Sequence, residues 1–217
     1  MIKQRATTEF EKAQRREKLL DAAIEIFFQK GFHATRLEDI AKQAGLSKGT
    51  LYLYFENKES IFLALIERLA LSSVHKLTQH LQDFDESEQS IEKILSGLFD
   101  EIIYILVDTQ LPKLIKIMIG DSQNFPVIVQ HYKQNIIDVA LSQLALFLEK
   151  AHQKKLLNVP EPIITAQIII SPFILSVLMQ VLFFGEDKQA DRARIQALLQ
   201  IHQKMLEAVF TSTYFST

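Results

Sequence analysis

Between residues 48 and 54, Lys48, Thr50, Tyr52 and Tyr54 place an ammonium, three hydroxyls and two ring faces within one short segment. Lys48 with Tyr52, and Thr50 with Tyr54, are four apart and share helix faces, while Leu51 and Phe55 fall on the face between them and turn inward. Donors and rings gathered this way suit a polyanion with readable edges. Lys48 can donate to guanine O6 and N7 in a major groove, or equally to a phosphate. Gly49 lets the helix end approach a backbone closely, and Thr50, Tyr52 and Tyr54 can fix register through phosphates. Lys58, one residue beyond the helix cap Asn57, is expected to reach a phosphate at the positive end of the next helix, and Glu59 adds a favourable charge there.

These side chains need a scaffold, and residues 40–55 supply its pattern: two short helices meeting at Gly45. Ala41 is small enough for crossing helices, and Gly45 stops the first helix through a left-handed conformation that glycine adopts without strain. Leu46 turns toward the core. Ser47 is placed to cap the second helix, which leaves its N-terminus facing outward toward a phosphate. A helix from about Leu19, with Ala23, Ile26 and Phe27 at helical spacing and Lys30-Gly31 as its stop, buttresses the pair. Thr35 is expected to cap the helix that carries Leu37, Ile40, Ala41 and Ala44 inward.

With 217 residues, 48% of them hydrophobic, the chain can bury a substantial core. The formal net charge is −2, unevenly distributed. Residues 1–60 carry 11 basic against 9 acidic side chains, leaving 13 against 17 for residues 61–217, so the basic excess accompanies the segment expected to read DNA. Zero cysteines exclude a disulfide scaffold, a thiolate zinc site and a cysteine nucleophile. The first residues lack the apolar stretch of a signal peptide, and a cytoplasmic location is expected. The six histidines never fall three or four apart, so no metal is expected. No phosphate-cradling glycine loop or serine-nucleophile motif occurs, so neither a cofactor nor an enzyme activity is expected.

Helical periodicity continues to the end of the chain without strand alternation, which predicts an all-α protein of about nine helices. A basic arm leads into the first helix. Asn57 caps a long helix with Ile61, Phe62, Leu65, Ile66, Leu69 and Leu77 inside; others are expected over about 91–107, after Pro112, and over about 125–153. Residues 163–184 contain no charge and are long enough to span a bilayer. Against a span stand Thr165, Gln167, Ser171, Ser176 and Gln180, the internal Pro172, and the lack of flanking basic residues. A helix apolar on nearly all sides also suits a soluble protein whose core lies on one face and a second subunit on the other. With the helix over about 189–214, striped by Ile195, Leu198, Leu199, Ile201, Met205, Leu206 and Val209, it would form a four-helix homodimer interface.

Residues 16–62 resemble the DNA-binding domain of TetR-family transcriptional regulators, carried by Ile40-Ala41, Ala44-Gly45-Leu46-Ser47-Lys48-Gly49-Thr50-Leu51-Tyr52, Tyr54-Phe55 and Lys58-Glu59. Asn124-Phe125-Pro126 leading into a helix is similar to one subgroup of the family's C-terminal domains. The resemblance implies a three-helix head over residues 1–60 and a helical effector-binding and dimerisation domain over residues 61–217. It also implies a homodimeric regulator whose small effector lowers DNA affinity. Two-fold heads reading one face of B-DNA stand about 34–36 Å apart, so the operator is expected to be palindromic. Arg36 departs from the Ser or Thr frequent near this cap, and can grip a phosphate, reach a base edge or remain a plain surface residue. Leu53 is expected to point outward, against a thymine methyl or its own neighbours. Phe99, Tyr104, Met118, Phe125, Tyr132, Phe147, Gln167 and Phe173 are the candidates for an apolar effector pocket, with Tyr132 or Gln167 as polar anchors. The competing expectation is an effector-independent, DNA-bound structural or partner-recruiting protein on the same scaffold.

Overall fold

The computed structural model describes residues 8–82, 91–183 and 188–211, which are helical apart from short connections. The expected arm before Thr8, and the end of the last helix beyond Thr211, lie outside the described residues. The α-helical segments are α1 (Glu9–Lys30), α2 (Leu37–Gln43), α3 (Lys48–Tyr52), α4 (Lys58–Ile66), α5 (Ser72–Gln82), α6 (Ile91–Asp108), α7 (Leu111–Asp121), α8 (Pro126–Tyr132), α9 (Asp138–Gln153), α10 (Pro162–Phe183) and α11 (Lys188–Thr211). π-helical turns at Glu67–Leu71 and Lys133–Ile137 join α4 to α5 and α8 to α9. Counting each joined pair once gives nine helices among the described residues, the expected all-α chain.

Packing groups the chain into two compact units: residues 1–68 with 113–129, and residues 69–112 with 130–217. The unit containing the helix-turn-helix therefore extends past residue 60 and takes in a segment from the middle of the chain.

In the first unit, α1 starts with a reciprocal cap. Thr8 Oγ1 accepts from Glu11 N at 3.2 Å, and Glu11 Oε2 accepts from Thr8 N at 3.0 Å. Leu19, Leu20, Ala23, Ile24 and Phe27 then bury one stripe of α1, and Gly31 ends the helix at φ +81°. The core is aromatic. Phe32 packs on Phe27, Phe62 and Phe125 with ring centroids 5.0, 5.4 and 4.8 Å away, two of these contacts edge-on.

In the second unit, α9 packs on α5 and α10, α6 on α5 and α11, and α10 on α11. Pro162 opens α10 and Pro172 sits within it. The inward stripe of α10 is Ala166, Ile169, Phe173, Ser176 and Val177. Its other faces carry Ile163, Ile164, Ile168, Ile174, Leu175 and Leu182, all exposed, and α11 adds exposed Ile201, Met205 and Val209 at intervals of four. By length and composition, residues 162–180 could also cross a membrane. One stripe of this helix packs against α9 and α11, and 28% of the apolar stretch is buried within the chain.

Candidate nucleic-acid interface

The turn between α2 and α3 closes as expected. Gly45 takes φ +67°, its N–H donating to Lys42 O at 3.1 Å and that of Leu46 to Ala41 O at 2.9 Å. Ser47 caps α3, its Oγ accepting from Thr50 N at 3.0 Å and sharing a 2.8 Å hydrogen bond with the Thr50 hydroxyl. Ile40, Ala41, Leu51 and Phe55 are buried, and Leu46 is half-buried. The opposite face presents Lys48, Gly49, Tyr52 and Leu53 to solvent, with Thr50 and Tyr54 half-buried. Leu53 is 82% exposed, pointing outward as expected. A Cβ on Gly49 would meet nothing of the protein closer than Ser47 Oγ, at 3.8 Å. The free protein therefore places no steric demand for glycine there.

Two predicted roles change. Thr35 does not cap α2: it is only 3% exposed, and its hydroxyl donates to Gly31 O at 2.7 Å, back along the chain. The N-cap is Arg36, which has no acceptor to offer; instead Asp39 Oδ2 accepts from the Arg36 N–H at 3.3 Å. With its hydroxyl buried and engaged, Thr35 orders the loop, and the exposed Arg36 is the residue of this pair that faces solvent. Lys58 is also turned inward. Its Nζ donates to the carbonyls of Phe32 (2.9 Å), His33 (2.8 Å) and Thr35 (3.5 Å) and lies 4.8 Å from the centre of the Phe32 ring. Three carbonyls and a ring face hold this ammonium, where a phosphate contact was expected.

Sequence reading missed three acidic partners. Asp121 Oδ2 accepts from Phe32 N at 2.9 Å and so ties the α1–α2 loop to the end of α7. Asp39 pairs with Lys30 at 3.1 Å; that hydrogen bond, followed by the Arg36 N–H, pulls its carboxyl below the ordinary value. Glu38 pairs with Lys48, whose ammonium stands 5.8 Å from the Tyr52 ring centre. Their hydrogen bond lowers the Glu38 pKa and raises that of Lys48. Local spacing rules reveal none of these pairs, which lie 89, 9 and 10 residues apart.

The two parts of the chain match two protein-family models. Residues 19–65 match the model described as bacterial regulatory proteins of the tetR family. Residues 93–210, more than half of the chain, match the C-terminal domain of AefR-like transcriptional repressors. The chain belongs to the TetR family of transcriptional regulators. Among TetR-family relatives, the "Fatty acid metabolism regulator protein" of Bacillus subtilis is 31% identical over 81 residues, 37% of this chain and 42% of that protein. The chain spans about two-fifths of the length of the first curated relatives it matches. A SmeT–triclosan complex shares the fold at TM-score 0.72, with 24% identity over 93% of this chain and 94% of that one. So does FadR from Bacillus subtilis in complex with stearoyl-CoA, at TM-score 0.60 and 19% identity over 90% and 97%.

The eight pocket candidates fall in both compact units. Phe99 and Phe173 meet at 5.5 Å between centroids, with the His202 ring 6.3 Å from Phe99. Phe147 is buried in the same unit. Burial pushes the Tyr132 phenol up to about 12, although part of its surface stays exposed. Met118 and Phe125 are buried in the unit of the reading head, Phe125 inside its aromatic cluster. Tyr104 and Gln167 are exposed, and Lys76 covers the Tyr104 ring at 5.4 Å. Among the described residues no cluster of three His, Asp or Glu side chains is arranged to hold a metal.

Proposed function

We propose that this TetR-family regulator is a homodimeric, sequence-specific repressor of a palindromic operator, released by a small hydrophobic effector. The observation that carries the reading is the outer face of α3, where Lys48, Gly49, Tyr52 and Leu53 stand exposed beside a serine-capped N-terminus. Phosphates would meet hydroxyls and the helix end, and base edges would meet Lys48. Thr50, Tyr54 and Arg36 are assigned supporting contacts on this face, with Ser47 acting through the cap. Residues 1–60 serve as the reading head and residues 61–217 as the effector-binding and dimerisation part, working in the cytoplasm without enzymatic activity.

Dimerisation through α10 and α11 is supported by their exposed apolar faces, which are larger than scattered surface residues require. The effector class rests on relatives named for fatty acid metabolism or held in complexes with triclosan and stearoyl-CoA. Phe99, Phe173, Phe147 and Tyr132 are its best candidate contacts here. Effector and operator then oppose each other by the same factor, since each favours a state the other disfavours.

The test is selection from a randomised duplex pool at moderate salt, followed by titration of the recovered sequence across salt concentrations. A palindrome with salt-dependent affinity is expected. No enrichment by folded, dimeric protein would overturn the reading.

A further inference from the structure

The pair formed by Glu38 and Lys48 joins the second residue of α2 to the first of α3, and each side chain is about half exposed, at 53% and 50%. An exposed ion pair contributes little to stability. A carboxylate beside a surface meant for phosphates also weakens binding to any DNA. Its place in the head needs a reason other than folding or bulk affinity.

The chemistry of the two groups supplies one. An ionised carboxylate only accepts hydrogen bonds, and an ammonium only donates them. Held side by side, they present an acceptor next to a donor. The major-groove edge of a G·C pair presents the complement: the cytosine N4 amino group donates, and guanine O6 and N7, adjacent to it, accept. An A·T pair offers Lys48 no two adjacent acceptors and sets the thymine methyl beside O4.

We propose that Glu38 is a specificity-determining residue of the reading head, which together with Lys48 reads one G·C pair in each half-site. Lys48 donates to guanine O6 and N7, and Glu38 accepts from cytosine N4. On a C·G or A·T pair the carboxylate faces an acceptor, guanine O6 or thymine O4, without a partner. A T·A pair keeps a donor there in adenine N6 but sets the thymine methyl and a single acceptor before Lys48, so discrimination against it rests on the lysine. The Tyr52 ring beside the ammonium limits where Lys48 can swing once it leaves Glu38. The assignment rests on the DNA-reading function proposed above.

Glu38→Ala and Glu38→Gln test it, alone and combined with Lys48→Ala, by pool selection and by competition between operators substituted at single positions. For Glu38→Ala, preference at one symmetric pair of positions should fall by about 5- to 100-fold, while binding to non-cognate duplex tightens because a negative charge has gone. Glu38→Gln keeps the side chain's size and an amide oxygen that can still accept from cytosine N4, but it can also turn its NH2 toward an acceptor, so its positional loss should be smaller than that of Glu38→Ala. Both variants should melt within a few degrees of the parent. The combined variants should lose preference at the same position as Lys48→Ala, by less than the sum of the two single effects. Uniform tightening on all sequences with the motif intact would reduce Glu38 to a background charge and overturn the assignment. So would additive losses at two different positions. If the parent protein enriches no motif at all, the DNA-reading function fails first, which the parent's own selection reveals before any variant is compared.

Discussion

In the reading head, Phe27, Phe32, Phe62 and Phe125 face one another. Along α10 and α11, nine large apolar side chains among the described residues face outward. The head closes its apolar surface within one chain, and polar tethers at Lys58, Thr35 and Asp121 fix the loop above it. Among the described residues, the exposed apolar side chains of α10 and α11 have no such closure. A self-sufficient core in one unit and an open apolar face in the other is the arrangement expected where one region must hold its shape for a ligand and the other must meet a second copy.

The sharpest way to break this comparison is a charge on the open face. Leu175→Glu removes about 1.5–3 kcal/mol of burial at each of two symmetric positions, so the dimer should weaken by about 3–6 kcal/mol while the protomer stays folded. Sedimentation velocity should show monomers at micromolar concentration, and operator affinity should fall with dimer occupancy. Dimers undiminished in strength would move the interface away from α10.

Phe125→Ala asks the same question of the closed core. Phe125 touches Phe32 and Phe62 at centroid distances of 4.8 and 5.5 Å, and loss of a buried phenylalanine costs about 3–5 kcal/mol. Urea denaturation should register that loss. A stability change below 1 kcal/mol, accompanied by weaker effector binding, would return Phe125 to the pocket for which its sequence made it a candidate.

The contrast also explains what could be read without a structure. The helix-turn-helix was legible because its turn is local: Gly45 and Ser47 bond residues three positions away, and the inward Ala41, Leu51 and Phe55 follow helical spacing. Asn57 was legible as a cap for the same reason, its Oδ1 accepting from Ser60 N at 2.7 Å. Thr35 misled by one residue because threonine is a good N-cap, yet its hydroxyl found the carbonyl four residues earlier. Asp121 was invisible, since its partner is 89 residues away. Along α10, periodicity could not separate the two faces, because isoleucine and leucine occupy both. The apolar stripe read along α11 likewise divides, with Ile195, Leu199 and Leu206 inward and Ile201, Met205 and Val209 outward. The π turns left no mark in the sequence that periodicity detects.

Lys58→Met separates a loop clamp from a phosphate contact. With the ammonium gone, three carbonyls lose a charged donor, which should cost about 1–3 kcal/mol of stability. Operator affinity should fall alike for all sequences as the α1–α2 loop loosens, with the dependence on log salt unchanged. A slope shallower by about one, with stability preserved, would instead assign Lys58 to a phosphate.

His202 offers the smallest effect and probes the second unit from within. Its Nε2–H donates to Ile169 O, 3.2 Å away, and the ring lies against Phe99. Burial lowers its pKa, and the Ile169 carbonyl opposes that shift without reversing it. The folded protein therefore takes up this proton at lower pH than the unfolded chain, whose histidine titrates near the ordinary value of about 6.5. The contribution to stability is full above that value and is lost as pH falls toward the folded pKa. His202→Gln should flatten this part of the curve, so the stability difference between variant and parent should narrow from pH 7.5 to about pH 5.5. Carboxylates titrating in the same range affect both proteins and cancel in the difference. Parallel curves would place the imidazole in water in both states, and a parent gaining stability on acidification would mean that the Ile169 carbonyl outweighs burial.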